Sequence, residues 1–101
     1  MTEVDPEILE VFREESGERL DRMVEDLLAL EQGRAGIEAV DSLFREAHSI
    51  KGSAGMIGLD EASAIAHGIE DVLGAVRESE VFSAGLIDPL LRATDALRLA
   101  V

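Results

Sequence analysis

His48, Lys51 and Gly52 fall at helical intervals within the stretch Leu43 to Leu59, LFREAHSIKGSAGMIGL, and His67 and Glu70 stand one turn apart further along the chain. Neutral imidazole is a good nucleophile near physiological pH, and one ring nitrogen is free whenever the other holds the proton. A carboxylate that accepts a hydrogen bond from one nitrogen fixes the tautomer and makes the other the attacking atom. Glu70 can do this for His48 if the segments carrying them are neighbours, and Lys51 would then neutralise a phosphoryl oxygen on the modified ring. A phosphoramidate formed in this way is labile and passes its phosphoryl group on. The chain has no phosphate-cradling nucleotide loop and no evident magnesium site, so the set suits a carrier better than a catalyst of ATP chemistry.

Each of these residues also has a plainer reading. A histidine at the edge of a helix seam is commonly a hydrogen-bonded structural residue. Glu70 could pair with His67 one turn back or stand in water, and Lys51 could be an ordinary surface lysine, although no acid lies three or four residues from it. A metal site inside a helical bundle would use His48, His67 and Glu70. Di-iron bundles draw on several inward carboxylates and two Glu-x-x-His pairs, whereas here the order is His67-x-x-Glu70, it occurs once, and no inward acid is evident on the first or last helix. A passive helical interaction domain needs none of these residues and leaves the glycines unexplained. Gly52, Gly55 and Gly58 each cost about 1 kcal/mol relative to alanine inside a helix. A helix end accounts for Gly58 but not for Gly52. Gly17, Gly68 and Gly74 also fall inside predicted helices, so it is the clustering beside His48 that reads as an edge cleared for an approaching partner.

The elements that must position these groups are helices. Asp5-Pro6-Glu7 is a start signature: a capping side chain, a proline where no amide hydrogen is needed, and an acid at the positive end of the dipole. Ile8, Phe12, Leu20, Met23, Leu27 and Leu30 then keep seam spacing, with a polar gap at Ser16, and predict a first helix to about Glu31. Gly33 and Gly36 make a short turn. The spacing of Val40, Leu43, Ala47, Ile50 and Ala54 predicts a second helix over Ile37 to Met56, with His48 one residue off the seam. Ile57 to Asp60 reads as a tight connection ending in a cap. A third helix, with Ala62, Ile65, Ala66, Ile69, Leu73 and Val76 on one face, ends near Arg77 and carries Glu70 at its seam edge. After a connection over Ser79 to Ser83, Leu86, Leu90, Ala93, Leu97 and Val101, with Ile87 beside the first of them, mark a fourth helix, whose start Pro89 restricts to between Ala84 and Asp88. Four amphipathic helices with short connections and no strand signal predict an all-α, antiparallel up-and-down four-helix bundle. The apolar face is still present at Val101, which leads us to expect a fragment of a longer protein.

At 101 residues the chain supports one hydrophobic core, hence a single domain over 1–101. The formal charge is -13, from 22 acidic against 9 basic residues, which repels phosphate backbones and anionic lipid. With no Trp or Tyr and only three Phe there is no platform for stacking bases, so nucleic-acid binding is not expected. No segment approaches the roughly 20 apolar residues that span a bilayer, so membrane insertion is not expected either. Met1 to Glu7 is polar and acidic and lacks a secretory signal, and the absence of cysteine removes disulfide and thiolate chemistry; both are compatible with a soluble domain in the cytoplasm.

The stretch AHSIKGSAGMIGL resembles the signature of histidine phosphotransfer (HPt) domains, a His followed by x-x-Lys-Gly and further small residues, and among these it is most similar to the N-terminal phosphotransfer domains of chemotaxis histidine kinases of the CheA type. The likeness extends over the whole chain: the acidic first helix, the LFREAHSIKG helix, the HGIE segment on the third and a shorter fourth. Ser53 stands where the family commonly has another glycine, and the chain ends before the fifth helix that many members carry. The resemblance implies that His48 is the phosphoacceptor, on its outward nitrogen, and that Glu70 accepts the hydrogen bond from the other. It implies that Lys51 stabilises the phosphoryl group, that Gly52 lets the partner close, and that His67 belongs to the supporting polar network. It further implies a two-component phosphorelay, in which a histidine kinase catalytic domain holding ATP and magnesium supplies the group. The acceptor is an aspartate of a CheY-like or CheB-like response-regulator receiver domain. The chain alone would be a phosphotransfer module rather than an enzyme, with no cofactor of its own, and its parent a histidine kinase. Receiver contacts are expected on the exposed side of the second helix, with apolar neighbours such as Phe44 or Met56.

Overall fold

The computed structural model describes residues 4–101; residues 1–3, the first part of the polar start described above, lie outside them. Helix α1 spans Pro6–Glu31, and the Asp5 side chain accepts a hydrogen bond from the Glu7 backbone N–H at 2.8 Å, as the start signature requires. Helix α2 spans Ile37–Met56, α3 spans Asp60–Ser79, and a 3-10 turn over Ala84–Leu86 runs directly into α4, Ile87–Ala100. Among the described residues all regular structure is helical. Each helix packs on its chain neighbours and α4 closes on α1, giving a four-helix bundle of 44 × 21 × 19 Å. Contacts between α2 and α3 run in opposite directions along the two helices, Asp41 with Arg77, His48 with Glu70 and the Lys51 carbonyl with Ser63, so this pair is antiparallel.

The core is the predicted seam of α2, whose Val40, Leu43, Ala47, Ile50 and Ala54 are all buried, faced by Leu20, Met23 and Leu27 of α1 and by Ala66, Ile69 and Leu73 of α3. Gly58, at φ +79°, ends the run after α2 in the left-handed region that glycine adopts without penalty. On the flank toward α1, Glu46 is buried and is held by Arg19 at 2.7 Å and Arg22 at 2.5 Å. Its carboxylate thus meets two charge-assisted donors, which fix the register of α1 on α2 more than they add stability.

Three sequence expectations are corrected and a fourth is extended. Ile8 is 53% exposed, on the rim of an open depression that it lines with the end of α2 at Gly55 and Met56. Asp60 is the first residue of α3, with Leu59 at the cap position and no side-chain cap bond; its charge and that of Glu61 act on the helix dipole instead. Helix α3 continues past Arg77 to Ser79 and is ended by Glu80 in a left-handed conformation at φ 58°. On α4 the expected Leu90 and Leu97, with Ile87, are buried, and Leu86, Ala93 and Val101 of the expected face pack half-buried against the core; the buried Thr94 is the position the expectation lacked. Leu86 belongs to the tighter 3-10 turn, and Thr94 can be fully buried because its hydroxyl donates to the Leu90 carbonyl at 2.7 Å.

This core assignment separates two substitutions of similar size. Leu73→Ala, at a fully buried site, is expected to cost about 2–5 kcal/mol in denaturant unfolding. Ile8→Ala should stay within about 0.5 kcal/mol of the parent; comparable losses at both positions would refute the assigned face of α1.

Candidate functional site

His48 leaves α2 one residue off the buried seam, so its ring lies against α3 with a side-chain exposure of 62%, while the side chain of Glu70 opposite is 10% exposed. The imidazole Nδ1 is hydrogen-bonded to Glu70 Oε2, and Lys51 Nζ donates to Glu70 Oε1 at 2.7 Å. One carboxylate therefore joins both residues that α2 presents on successive turns. Lys51's ammonium, ahead of His48, holds the Glu70 carboxyl below the usual carboxylate range, against the opposing effect of its burial. An ionised carboxylate only accepts, so Nδ1 carries the proton of this bond, and in the neutral ring Nε2 then holds the lone pair. The backbone beneath Lys51 is tied to α3 as well, where the Ser63 hydroxyl donates to the Lys51 carbonyl at 3.1 Å.

Gly52 is exposed, and a Cβ built on it would meet nothing within 4 Å. Nothing inside the described molecule requires a glycine at this helical position. Gly55 is different, since its added Cβ would come 3.4 Å from the Ser63 hydroxyl. His67 is not joined to the trio: its Nε2 lies 3.5 Å from Asp71 Oδ1, and both side chains are exposed. The trio considered for a metal, His48, His67 and Glu70, is not brought together either. His67 instead approaches Asp71 and Glu70, whose two oxygens are engaged by His48 and Lys51.

Two groups at the site escaped the sequence reading in these roles. Phe44, one turn before His48, lays its ring parallel to the imidazole, with 6.4 Å between centroids and 9° between planes. Arg77 of α3 places its guanidinium 4.4 Å from the centre of the Phe44 ring. The i,i+4 spacing of Phe44 and His48 was a readable signal; the approach of Arg77 depends on how α2 and α3 pack.

The class defined by these features is a helical-bundle domain that presents one largely exposed imidazole oriented by a nearly buried carboxylate. Residues 7–100 match the Hpt domain family, and the chain belongs to that family. It is 32% identical over 93 residues to the chemotaxis protein CheA of Treponema pallidum (strain Nichols), an alignment covering 91% of this chain and 12% of that protein. It is 39% identical over 90 residues to the gliding motility regulatory protein of Myxococcus xanthus, covering 89% of this chain and 12% of the relative. The chain thus spans 12% of the length of these relatives. The fold is shared with the solution NMR structure of a protein with a redesigned hydrophobic core, at a TM-score of 0.81 and 17% identity, covering 92% of this chain and 83% of that one.

The lowered proton affinity of Glu70 has a thermodynamic sign. A carboxyl that binds its proton more weakly folded than unfolded stabilises the fold above its unfolded value, about 4.3, and that stabilisation is lost as the pH falls through the folded value. Unfolding of the parent and of Glu70→Gln, compared between pH 6 and pH 2, should show the advantage of the parent shrinking below about pH 4.3. A difference independent of pH would refute the pairing.

Proposed function

We propose that this chain is a phosphoryl carrier of a two-component phosphorelay, of the kind that serves chemotaxis kinases. The observation that carries this reading is the largely exposed imidazole of His48, held at Nδ1 by Glu70, on a bundle of the Hpt family. In the proposed cycle the Nε2 lone pair attacks the γ-phosphorus of ATP held with magnesium by a histidine kinase catalytic domain. The N–P bond forms, the bond to the bridging oxygen breaks, and ADP leaves. The ring then bears a positive charge, with its proton still on Nδ1, and Glu70 offsets that charge across the hydrogen bond. An aspartate of a response-regulator receiver domain next attacks phosphorus, the N–P bond breaks, and neutral imidazole returns.

Lys51 has two parts in this reading. At rest it lowers the proton affinity of Glu70, and when a phosphoryl group is present its ammonium lies one helical turn away as a counter-charge. Gly52 and Gly55 give the flank its low relief beside His48, and Met56, 89% exposed, offers an apolar contact to a receiver. Phe44, half-buried beside Gly74 and Arg77, is the poorer candidate for that contact. His67 is assigned an outer place, acting on the field around Glu70 through its contact with Asp71. The carrier itself binds no cofactor in this scheme; ATP and magnesium belong to the kinase domain. The setting is cytoplasmic, in keeping with a chain in which no helix of the described residues is long and apolar enough to cross a membrane.

Incubation with a CheA-type kinase domain, ATP and magnesium tests the scheme. Acid-labile, base-stable label is expected on the parent and absent from a folded His48→Gln, and Glu70→Ala should be labelled more slowly by on the order of 100-fold. Equal labelling of His48→Gln would refute the assignment of the acceptor. Gly52→Ala separates stability from docking: it should unfold up to about 1 kcal/mol later than the parent, yet transfer its label to a receiver domain several-fold more slowly. Transfer at the parental rate would show that no partner needs the bare backbone.

A further inference from the structure

The hydrogen bond to Glu70 does not by itself fix the nucleophile. It restrains Nδ1 to the neighbourhood of one carboxylate oxygen without pinning it to a point, so small coupled changes of χ1 and χ2 let the ring rock while the bond is kept. Nε2 swings with the ring. A group whose lone pair must meet phosphorus in line loses rate with small displacements of this kind.

The neighbour that opposes the swing is Phe44. Its ring is parallel to the imidazole within 9°, with the centroids 6.4 Å apart, an offset stacked arrangement within the range that aromatic pairs prefer. Phe44 is in turn held from α3. Arg77 covers its ring at 4.4 Å, and a Cβ at Gly74 would stand 3.5 Å from Cε2, so the ring sits closely against this part of α3. Arg77 is steadied by Asp41, one turn before Phe44 on α2, through an Nε to Oδ1 contact of 2.8 Å. The series Asp41, Arg77, Phe44, His48 thus crosses from α2 to α3 and back, and it reaches the imidazole from the side away from Lys51.

We propose that Phe44 is a positioning residue for His48, setting the plane of the imidazole and so the direction of the Nε2 lone pair, and that Arg77 acts through Phe44 by clamping its ring. The proposal rests on His48 being the phosphoacceptor only for its kinetic consequence; the orientation of the ring can be measured without any phosphoryl donor.

The test uses this chain with Phe44→Leu, which keeps apolar volume and removes the ring; Phe44→Tyr, which restores it; and Arg77→Gln. Imidazole 15N shifts should report the Nδ1–H tautomer in all of them, because Glu70 is untouched. The order parameter of the His48 ring Cε1–H should fall in Phe44→Leu, fall less in Arg77→Gln, and return in Phe44→Tyr. With the kinase domain and ATP, kcat for labelling should fall about 10-fold in Phe44→Leu, with KM unchanged, and recover in Phe44→Tyr. An unchanged ring order in Phe44→Leu overturns the proposal. So does a loss confined to KM, which would make Phe44 a docking contact, or a loss that Tyr does not rescue. If the parent itself takes no label on His48, the carrier reading fails while the ring measurement still decides whether Phe44 holds the imidazole.

Discussion

One carboxylate with two cationic or proton-bearing neighbours sets the terms for this molecule. Glu70 is nearly buried, and burial by itself strengthens its hold on a proton. The hydrogen bond from Lys51, and after it that of His48, outweighs this, so the carboxyl has a lowered proton affinity and accepts from Nδ1 of His48. Lysine and histidine thus act on each other through the carboxylate they share. Because α2 supplies both Lys51 and His48, a single residue on α3 suffices to connect them, and the requirement on the fold reduces to one contact between two helices.

That contact is exacting in register. Glu70 must face the gap between two successive turns of α2, so sliding α3 by one residue would turn it out of the cleft. The small seam residues Ala47 and Ala54 on α2, with Ala62 and Ala66 on α3, let the two helices come close. The Ser63 bond to the Lys51 carbonyl and the Arg77 pair with Asp41 bracket the site on either side. On the opposite flank, Glu46 and its two arginines fix α2 against α1, so the helix that bears His48 is tied on both sides.

Much of this was readable from residue order, and what was not has identifiable causes. The bounds of α2 follow from its five seam residues, and the start of α1 from Asp5 and Pro6, because both signals are local. The meeting of His48 with Glu70 was readable as a condition, given adjacent helices and two seam-edge positions. The Lys51 to Glu70 pair was hidden, since a search for partners along one helix finds no acid near Lys51. Arg77 at Phe44 was hidden for the same reason. On α4 the apolar face was readable, but Thr94 was passed over because a hydroxyl that bonds its own helix can lie in a core. His67 shows the converse: its i,i+4 neighbour Asp71 was visible in the sequence, and the structure leaves it with that partner.

The imidazole of His48 stands largely in solvent on the flank of the bundle. On the proposed reading, a group carried there would be wetted, and the atom that receives it would also be the atom that gives it up. Donor and recipient would then have to claim the same patch of surface in turn, each excluding the other. Traffic through such a post is governed by competition for the landing place, so the relative abundance and affinity of the two visitors, more than any gate within the bundle, would set the direction of flow.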